Sequence, residues 1–192
     1  MIEELVFATN NANKVAEIKK MLGNLFTVTS LKDAGIDIDI PEPYDTLEEN
    51  ARAKSKTIFE MTGKNCFSED TGLFVDALNG QPGVKSARYA GDKATNKENI
   101  EKLLANLNGV EKRTARFKTI ISLMQAGKEF QFEGVCEGEI IETPVGEKGF
   151  GYDAVFIPDG NEKTFAQMET EEKNIYSHRK KAMKKLIGFL SS

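Results

Sequence analysis

The stretch Leu5-Val6-Phe7-Ala8-Thr9, with the segment that follows it, decides how this chain folds. It is short and apolar, which is typical of a buried parallel strand. The segment from Lys14 to Leu22 then places its apolar side chains on one helical face, and Gly23 is expected to end that helix. A buried strand that leads through a polar turn into an amphipathic helix predicts an α/β fold.

The rest of the chain alternates between predicted helices and strands. Two capping boxes, Thr46-x-x-Glu49 and Thr95-x-x-Glu98, each open a helix, and the first is expected to run to about Met61 with Gly63 as its C-cap. Alternation with period two from Ala115 to Leu123 resumes at Phe130, which predicts a long antiparallel hairpin turning at Ala126-Gly127-Lys128. Other expected elements are strands over Phe26–Leu31, Cys66–Ser68 and Ala154–Ile157, a loop over Asp37–Tyr44, and a helix over Ser177–Leu190. The prediction is a mixed sheet with parallel units first and a hairpin later.

Length, charge and cysteines set outer bounds. The 192 residues fit a single domain over 1–192 or two tightly joined lobes. Cys66 and Cys136 are isolated, and an acidic start that enters a strand directly is unlike a signal peptide, so we expect a cytoplasmic protein. A net charge of −4 argues against a general nucleic-acid binder, and no apolar run approaches a membrane span. A local cluster of lysine and arginine can still attract a small polyanion.

The turn after the first strand is a candidate phosphate site. A polar turn at a helix N-terminus presents free backbone N–H groups and the positive end of the helix dipole, and Lys14 adds a cation. The candidate binding residues are Thr9, Asn10, Asn11, Ala12, Asn13 and Lys14. The alternative is an ordinary Asn-rich connection between a strand and a helix.

Glu69 and Asp70 are a candidate metal and proton-transfer site. Two adjacent carboxylates beside an apolar strand raise each other's pKa unless a cation lies near them. Mg²⁺ suits such a site when the substrate carries phosphates, and a carboxylate can also accept a proton from an attacking water. Glu42 is a candidate third acid. The alternative is a solvated strand end.

Two further stretches carry donors and rings. His178, the only histidine in the chain, precedes Arg179, and together they offer rigid donors for carbonyl or phosphate oxygens. Lys173 lies five residues earlier. Phe150-Gly151-Tyr152-Asp153 is a turn whose rings can stack on a base. The alternatives are a structural histidine and aromatic side chains that belong only to the core.

An ordered set of motifs closely resembles the inosine triphosphate pyrophosphatase family, the non-canonical purine NTP pyrophosphatases, from residue 5 to about 190. Each motif is weak alone, but the whole set occurs in order. The motifs are Thr9-x-Asn11-x-x-Lys14, Leu47-Glu48-Glu49-Asn50-Ala51 with Lys54, Ser68-Glu69-Asp70-Thr71-Gly72-Leu73, Gly80-x-Pro82-Gly83, Ser86-Ala87-Arg88-Tyr89, Gly149-Phe150-Gly151-Tyr152-Asp153 and Glu172-Lys173-x-x-x-Ser177-His178-Arg179.

The resemblance implies a fold and an activity. The fold would be an elongated α/β molecule with a mixed central sheet and two lobes flanking an active-site cleft, usually a homodimer. The activity would be hydrolysis of ITP, dITP, XTP and dXTP to the monophosphate and pyrophosphate, with Mg²⁺ as cofactor and Mn²⁺ as a possible substitute.

The resemblance also implies roles for individual residues. Asp70 would be the proton acceptor and a metal ligand, Glu42 a further metal ligand, and Glu69 a supporting acid. Substrate would be bound by Thr9 to Lys14, Lys54, Thr71, Phe150, Gly151, Tyr152, Asp153, Lys173, His178 and Arg179. Two alternatives stay open: a pyrophosphatase of similar fold acting on pyrimidine or modified nucleotides, and a nucleotide-binding module without turnover.

Overall fold

The computed structural model of the chain describes residues 4–22 and 26–192. The strands of this part are β1 Glu4–Phe7, β2 Thr27–Ser30, β3 Cys66–Val75, β4 Pro82–Gly83, β5 Thr114–Gln125, β6 Lys128–Ile140 and β7 Phe156–Pro158. Its α-helices are α1 Ala12–Leu22, α2 Leu47–Thr62, α3 Asn96–Asn106, α4 Thr170–Tyr176 and α5 His178–Leu190. The predicted mixed α/β class is confirmed. The helix end predicted at Gly23 lies outside the described residues.

The strands form one mixed sheet in the order β2-β1-β3-β5-β6-β7, and β4 pairs with β3 off this path. β1 pairs in parallel with β2 and β3, whereas β4 and β7 pair antiparallel with β3 and β6. β5 and β6 are joined by Ala126 and Gly127, whose positive φ values of 49° and 77° are typical of a type I′ hairpin turn. The predicted succession of parallel units and a later hairpin is confirmed.

Both predicted capping boxes lie at helix starts. The Thr46 hydroxyl accepts a hydrogen bond from the backbone N–H of Glu49 at 3.2 Å, and Gly63 ends α2 in the left-handed conformation. Thr95 and Glu98 bond each other reciprocally at the start of α3. Caps are local interactions, so sequence spacing alone identified them.

The strand predicted over Cys66–Ser68 is longer than expected. β3 continues to Val75 and carries Glu69 and Asp70 within it, so these carboxylates do not lie at a strand end. The chain before the last helix also contains α4, a helix of seven residues that was not predicted.

The chain divides into two compact units. Unit 1 comprises Met1–Asp70, Ile120–Glu133 and Ala182–Ser192, and unit 2 comprises Thr71–Thr119 and Gly134–Lys181. The core of unit 1 includes Phe7 stacked on Phe67, with ring centroids 4.5 Å apart. The core of unit 2 includes Phe117, Phe156 and Phe165. A single domain over 1–192 stays a prediction. None of the described helices is long and apolar enough to cross a membrane.

Candidate active site

The turn after β1 has the geometry of an anion site at a helix N-terminus. The hydroxyl of Thr9 accepts the backbone N–H of Asn11 at 3.2 Å, and the side-chain oxygen of Asn11 accepts the N–H of Lys14 at 3.1 Å. These bonds shape the turn so that α1 begins at Ala12, with Asn13 in its first turn. Since backbone N–H groups at such a helix start face outward, the turn can receive a phosphate.

Asn10 has a different contact from its neighbours in the turn. Its side-chain amide donates to the carbonyl of Ile38 at 2.8 Å. Ile38 belongs to the segment that precedes Glu42. This segment packs against the apolar cluster around Leu31 and Ile58 through three isoleucines, Ile36, Ile38 and Ile40. Asn10 therefore ties the turn to the segment that leads to Glu42.

Five charged side chains of unit 1 meet beside this turn, and we call them the acid–lysine group: Lys14, Glu42, Lys54, Glu69 and Asp70. The ammonium of Lys14 lies 3.2 Å from the carboxylate of Glu69, whose side chain is fully buried. The ammonium of Lys54 bonds the carboxylate of Glu42 and lies 3.3 Å from Oδ1 of Asp70. The nearest ion pair of Glu69 is with Lys14, and that of Asp70 is with Lys54, although the Lys14 charge also acts on Asp70.

Burial and neighbouring charges set the protonation of this group. Burial raises the pKa of Asp70, the Lys54 ammonium lowers it, Glu42 raises it again, and the net shift is upward. For Lys54, burial acts to lower the pKa, but the carboxylates of Asp70 and Glu42 outweigh burial and raise it. Lys54 therefore remains an ammonium, and Asp70 is a stronger proton acceptor than an exposed aspartate.

The acid–lysine group can hold a divalent cation through two carboxylates. Oδ2 of Asp70 is buried and receives no hydrogen bond from any residue that the structure describes. Within residues 4–22 and 26–192 there is no cluster of three or more histidine, cysteine or acidic side chains suited to a metal. Mg²⁺ is commonly bound by one or two carboxylates together with waters and substrate phosphates, so Glu42 and Asp70 fit it.

Two residues to which sequence analysis assigned no role hold this group in place. The buried side chain of Asn50 accepts the N–H of Tyr44 and donates to the carbonyl of Tyr44, both at 3.0 Å, which fixes the loop that carries Glu42. The hydroxyl of Ser68 donates to the carbonyl of Ala51 at 2.5 Å and joins β3 to the helix that carries Lys54. In the sequence, the only indication of this positioning role is a polar residue, Asn50, on the apolar face of α2.

A second set of predicted residues lies together in unit 2, and we call it the aromatic–basic group: Phe150, Asp153, Lys173 and Arg179. The carboxylate of Asp153 accepts the backbone N–H of Phe150 at 3.0 Å and the ammonium of Lys173 at 2.8 Å. The Lys173 ammonium and the Arg179 guanidinium each lie 5.5 Å from the centre of the Phe150 ring. These distances are typical of cation–π contacts.

Glycine is required next to this ring. Gly149 has φ = 76°, and a Cβ added there would lie 2.0 Å from a carboxylate oxygen of Asp153. Only a residue without a side chain leaves room for the hydrogen bond that the backbone N–H of Phe150 donates to Asp153.

The remaining predicted residues of unit 2 differ in their surroundings. His178 is 3% exposed and stacks on Phe117 with ring centroids 4.7 Å apart. Tyr152 belongs to the apolar core, and its hydroxyl donates to the carbonyl of Ser86 at 2.8 Å. Its ring is therefore part of the core, and the neighbouring Gly151 is in the left-handed conformation. The hydroxyl of Thr71 lies 2.7 Å from that of Thr119.

Comparison with known proteins decides the family. The Ham1 family model matches residues 5–189. The chain belongs to the Ham1 family.

Relatives in this family are similar over nearly their whole length. A protein of Flavobacterium johnsoniae named dITP/XTP pyrophosphatase is 48% identical, with 98% of each chain covered. One of Caldanaerobacter subterraneus with the same name is 50% identical, covering 97% of this chain and 95% of its own. Among solved structures, the Staphylococcus aureus Ham1 protein has a TM-score of 0.89 at 38% identity with 98% of both chains covered. A HAM1 protein from Coxiella burnetii has a TM-score of 0.91 at 36% identity with 99% of both covered.

Proposed function

We propose that this protein hydrolyses non-canonical purine nucleoside triphosphates, namely ITP, dITP, XTP and dXTP, to the monophosphate and pyrophosphate. The observation that carries the proposal is the acid–lysine group, in which a buried aspartate of raised pKa lies beside two lysines and a helix N-terminus. The names of the relatives above, dITP/XTP pyrophosphatase, support the same substrate class.

We assign the triphosphate to the turn after β1 and to the lysines of the acid–lysine group. Backbone N–H groups at the start of α1 donate to phosphate oxygens, and Lys14 and Lys54 supply positive charge. Glu42 and Asp70 would hold Mg²⁺, for which Mn²⁺ could substitute. The bound cation would neutralise phosphate charge and lower the pKa of a bound water.

The reaction that we assign is attack of water on the α-phosphorus. The new bond joins the water oxygen to that phosphorus, the bond to the oxygen bridging the α- and β-phosphates breaks, and pyrophosphate leaves. The proton released by the water goes to the carboxylate of Asp70, which is buried beside the Lys54 ammonium. Glu69 would support the site by keeping Lys14 in place at 3.2 Å.

We assign the purine base to the aromatic–basic group. Hypoxanthine and xanthine carry an acceptor oxygen at C6, whereas adenine carries an amino donor there. Arg179 can only donate, so it favours the 6-oxo bases. Guanine shares the 6-oxo group, and its rejection must come from donors or a steric wall near its 2-amino group, with backbone at Phe150–Asp153 or His178 as candidates. An unmatched buried polar group costs about 1–3 kcal/mol, so two such positions can discriminate by about a hundredfold or more.

Pyrophosphate release from ITP, dTTP and ATP, measured side by side, tests this function. We expect kcat/KM to be far higher for ITP than for ATP or dTTP. Preference for dTTP would indicate the pyrimidine alternative, and binding without release would indicate a module without turnover. In the same assay, the Asp70→Asn variant should lose most of the pyrophosphate release. Its matched control is Asp76→Asn, because Asp76 pairs with Arg116 at an exposed position.

The homodimer and the cytoplasmic location stay predictions. Light scattering on the purified protein at several concentrations tests the first. A mass that stays at one chain, 21.3 kDa, would contradict the homodimer.

A further inference from the structure

The acid–lysine group already contains a cation in the place where the metal is expected. The Lys54 ammonium bonds the carboxylate of Glu42 and lies 3.3 Å from Oδ1 of Asp70. The side chains of Lys54 and Asp70 are 10% and 8% exposed, so water screens these charges poorly. These two carboxylates are the ones to which we assigned the divalent cation.

A divalent cation and an ammonium cannot both sit close to the same two carboxylates without strong repulsion. Mg²⁺ binds carboxylate oxygens at about 2.0–2.1 Å, which would place it within a few ångströms of the Lys54 ammonium. At such distances, and with little screening, repulsion between two cations is large. The triphosphate changes this balance because it supplies negative charge for both cations.

We propose that Lys54 keeps divalent cations off Glu42 and Asp70 until a nucleotide binds, so that the metal enters together with the triphosphate. Lys54 then exchanges its carboxylate partners for phosphate oxygens, and the cation takes its place between Glu42 and Asp70. This inference rests on the proposed function, since it uses the same two metal ligands.

Contacts that do not involve Lys54 keep the two acids in position. Asn50 holds the backbone of Tyr44, two residues after Glu42, through two hydrogen bonds. Ser68 ties β3, two residues before Asp70, to the carbonyl of Ala51. The acids should therefore remain close together when the charge of Lys54 is removed, and Oδ2 of Asp70, which receives no hydrogen bond from the described residues, is a further oxygen for a cation.

The test is a titration of the nucleotide-free protein with Mn²⁺, in which the electron paramagnetic resonance signal of free Mn²⁺ measures how much remains unbound. We expect Lys54→Met to bind Mn²⁺ at least about tenfold more tightly than wild type, because the competing charge is gone. Lys56→Met is the matched control, since Lys56 lies on the same helix and pairs only loosely with Glu60 on the surface, at 3.8 Å. It should bind Mn²⁺ as wild type does. Equal affinity of wild type and Lys54→Met would overturn the inference.

A measurement without Lys54 variants keeps the inference testable if those variants fail to fold. Nucleotide-free wild type and Asp70→Asn should bind Mn²⁺ equally weakly. A tight Mn²⁺ site in wild type that Asp70→Asn removes would overturn the inference. Failure of the proposed function is a separate result: it appears as no pyrophosphate release from ITP by wild type, whereas the Mn²⁺ titration contains no nucleotide.

Discussion

The ion pair between Asp153 and Lys173 allows a quantitative test of the aromatic–basic group. Its oxygen and nitrogen are 2.8 Å apart, and the side chains are only 6% and 10% exposed. Asp153→Asn removes the negative charge but keeps a side-chain oxygen that can accept the N–H of Phe150. The Lys173 ammonium then stays buried without its partner carboxylate. Breaking a buried pair in this way costs about 3–5 kcal/mol in the free energy of unfolding.

Thermal unfolding followed by circular dichroism measures this cost. A chain of this length loses about 2–4 °C of Tm per kcal/mol, so the Tm should fall by about 6–20 °C. The control is Glu172→Gln, which breaks the pair between Glu172 and Lys163, where both side chains are about a third or more exposed. That exposed pair should contribute no more than about 1 kcal/mol.

Two results would refute the reasoning about Asp153. One is a loss of stability no larger than that of Glu172→Gln. The other is additivity of Asp153→Asn and Lys173→Met in a double-mutant cycle, because residues that act as a pair show a coupling energy of about 0.5–3 kcal/mol. We also expect Asp153→Asn to raise KM for ITP, since Phe150 is held by the same carboxylate.

Four further predictions concern the proposed base, the metal, the base-binding arginine and a helix cap. Asp70→Asn should lower kcat by about 100-fold or more in a chain that still folds, and more than a tenth of wild-type pyrophosphate release would show that Asp70 is not the base. EDTA should stop pyrophosphate release and added Mg²⁺ should restore it; full activity in excess chelator would contradict the metal. Arg179→Ala should lose much of the preference for ITP over ATP, and an unchanged ratio of kcat/KM would assign Arg179 to phosphate. The hydrogen bond from the backbone N–H of Thr95 holds the pKa of Glu98 below its usual 4.5 in the folded chain. The stability that the Glu98 carboxylate contributes is therefore present above that pH and is lost as the pH falls through the lower, folded value. In urea unfolding, the difference in free energy of unfolding between wild type and Glu98→Gln should be smaller at pH 3 than at pH 7.

Local chemistry explains which parts of the fold the sequence predicted well. The caps at Thr46, Gly63 and Thr95 depend on residues three or four positions apart, so spacing alone located them. β3 was predicted too short because Ser68-Glu69-Asp70-Thr71 interrupts the apolar pattern. These polar side chains are in a strand because their partners, among them Ala51 and Thr119, come from distant segments.

The candidate site shows the same limit. Sequence patterns found its residue types, and the structure places nine of the candidates in two groups, five in unit 1 and four in unit 2. They did not show that Lys14 and Lys54 contact carboxylates, because the partners lie 55, 12 and 16 residues away. They also left open whether Tyr152 stacks on a base, whereas its ring is buried in the core and its hydroxyl bonds Ser86.

The contacts of the acid–lysine group differ in kind, and the difference bears on how it works. Asn50 and Ser68 fix backbone through neutral hydrogen bonds, and such bonds are unaffected when a charged ligand arrives. Lys14 and Lys54 hold carboxylates through ion pairs, and an ammonium can also pair with phosphate. Because the neutral bonds keep the acids in place, the lysines are able to change partners without loss of the site. The same arrangement explains how a chain of net charge −4 can receive a polyanion. The acids of the site neutralise its lysines, and when a metal cation binds those acids, the lysines become available to the phosphates.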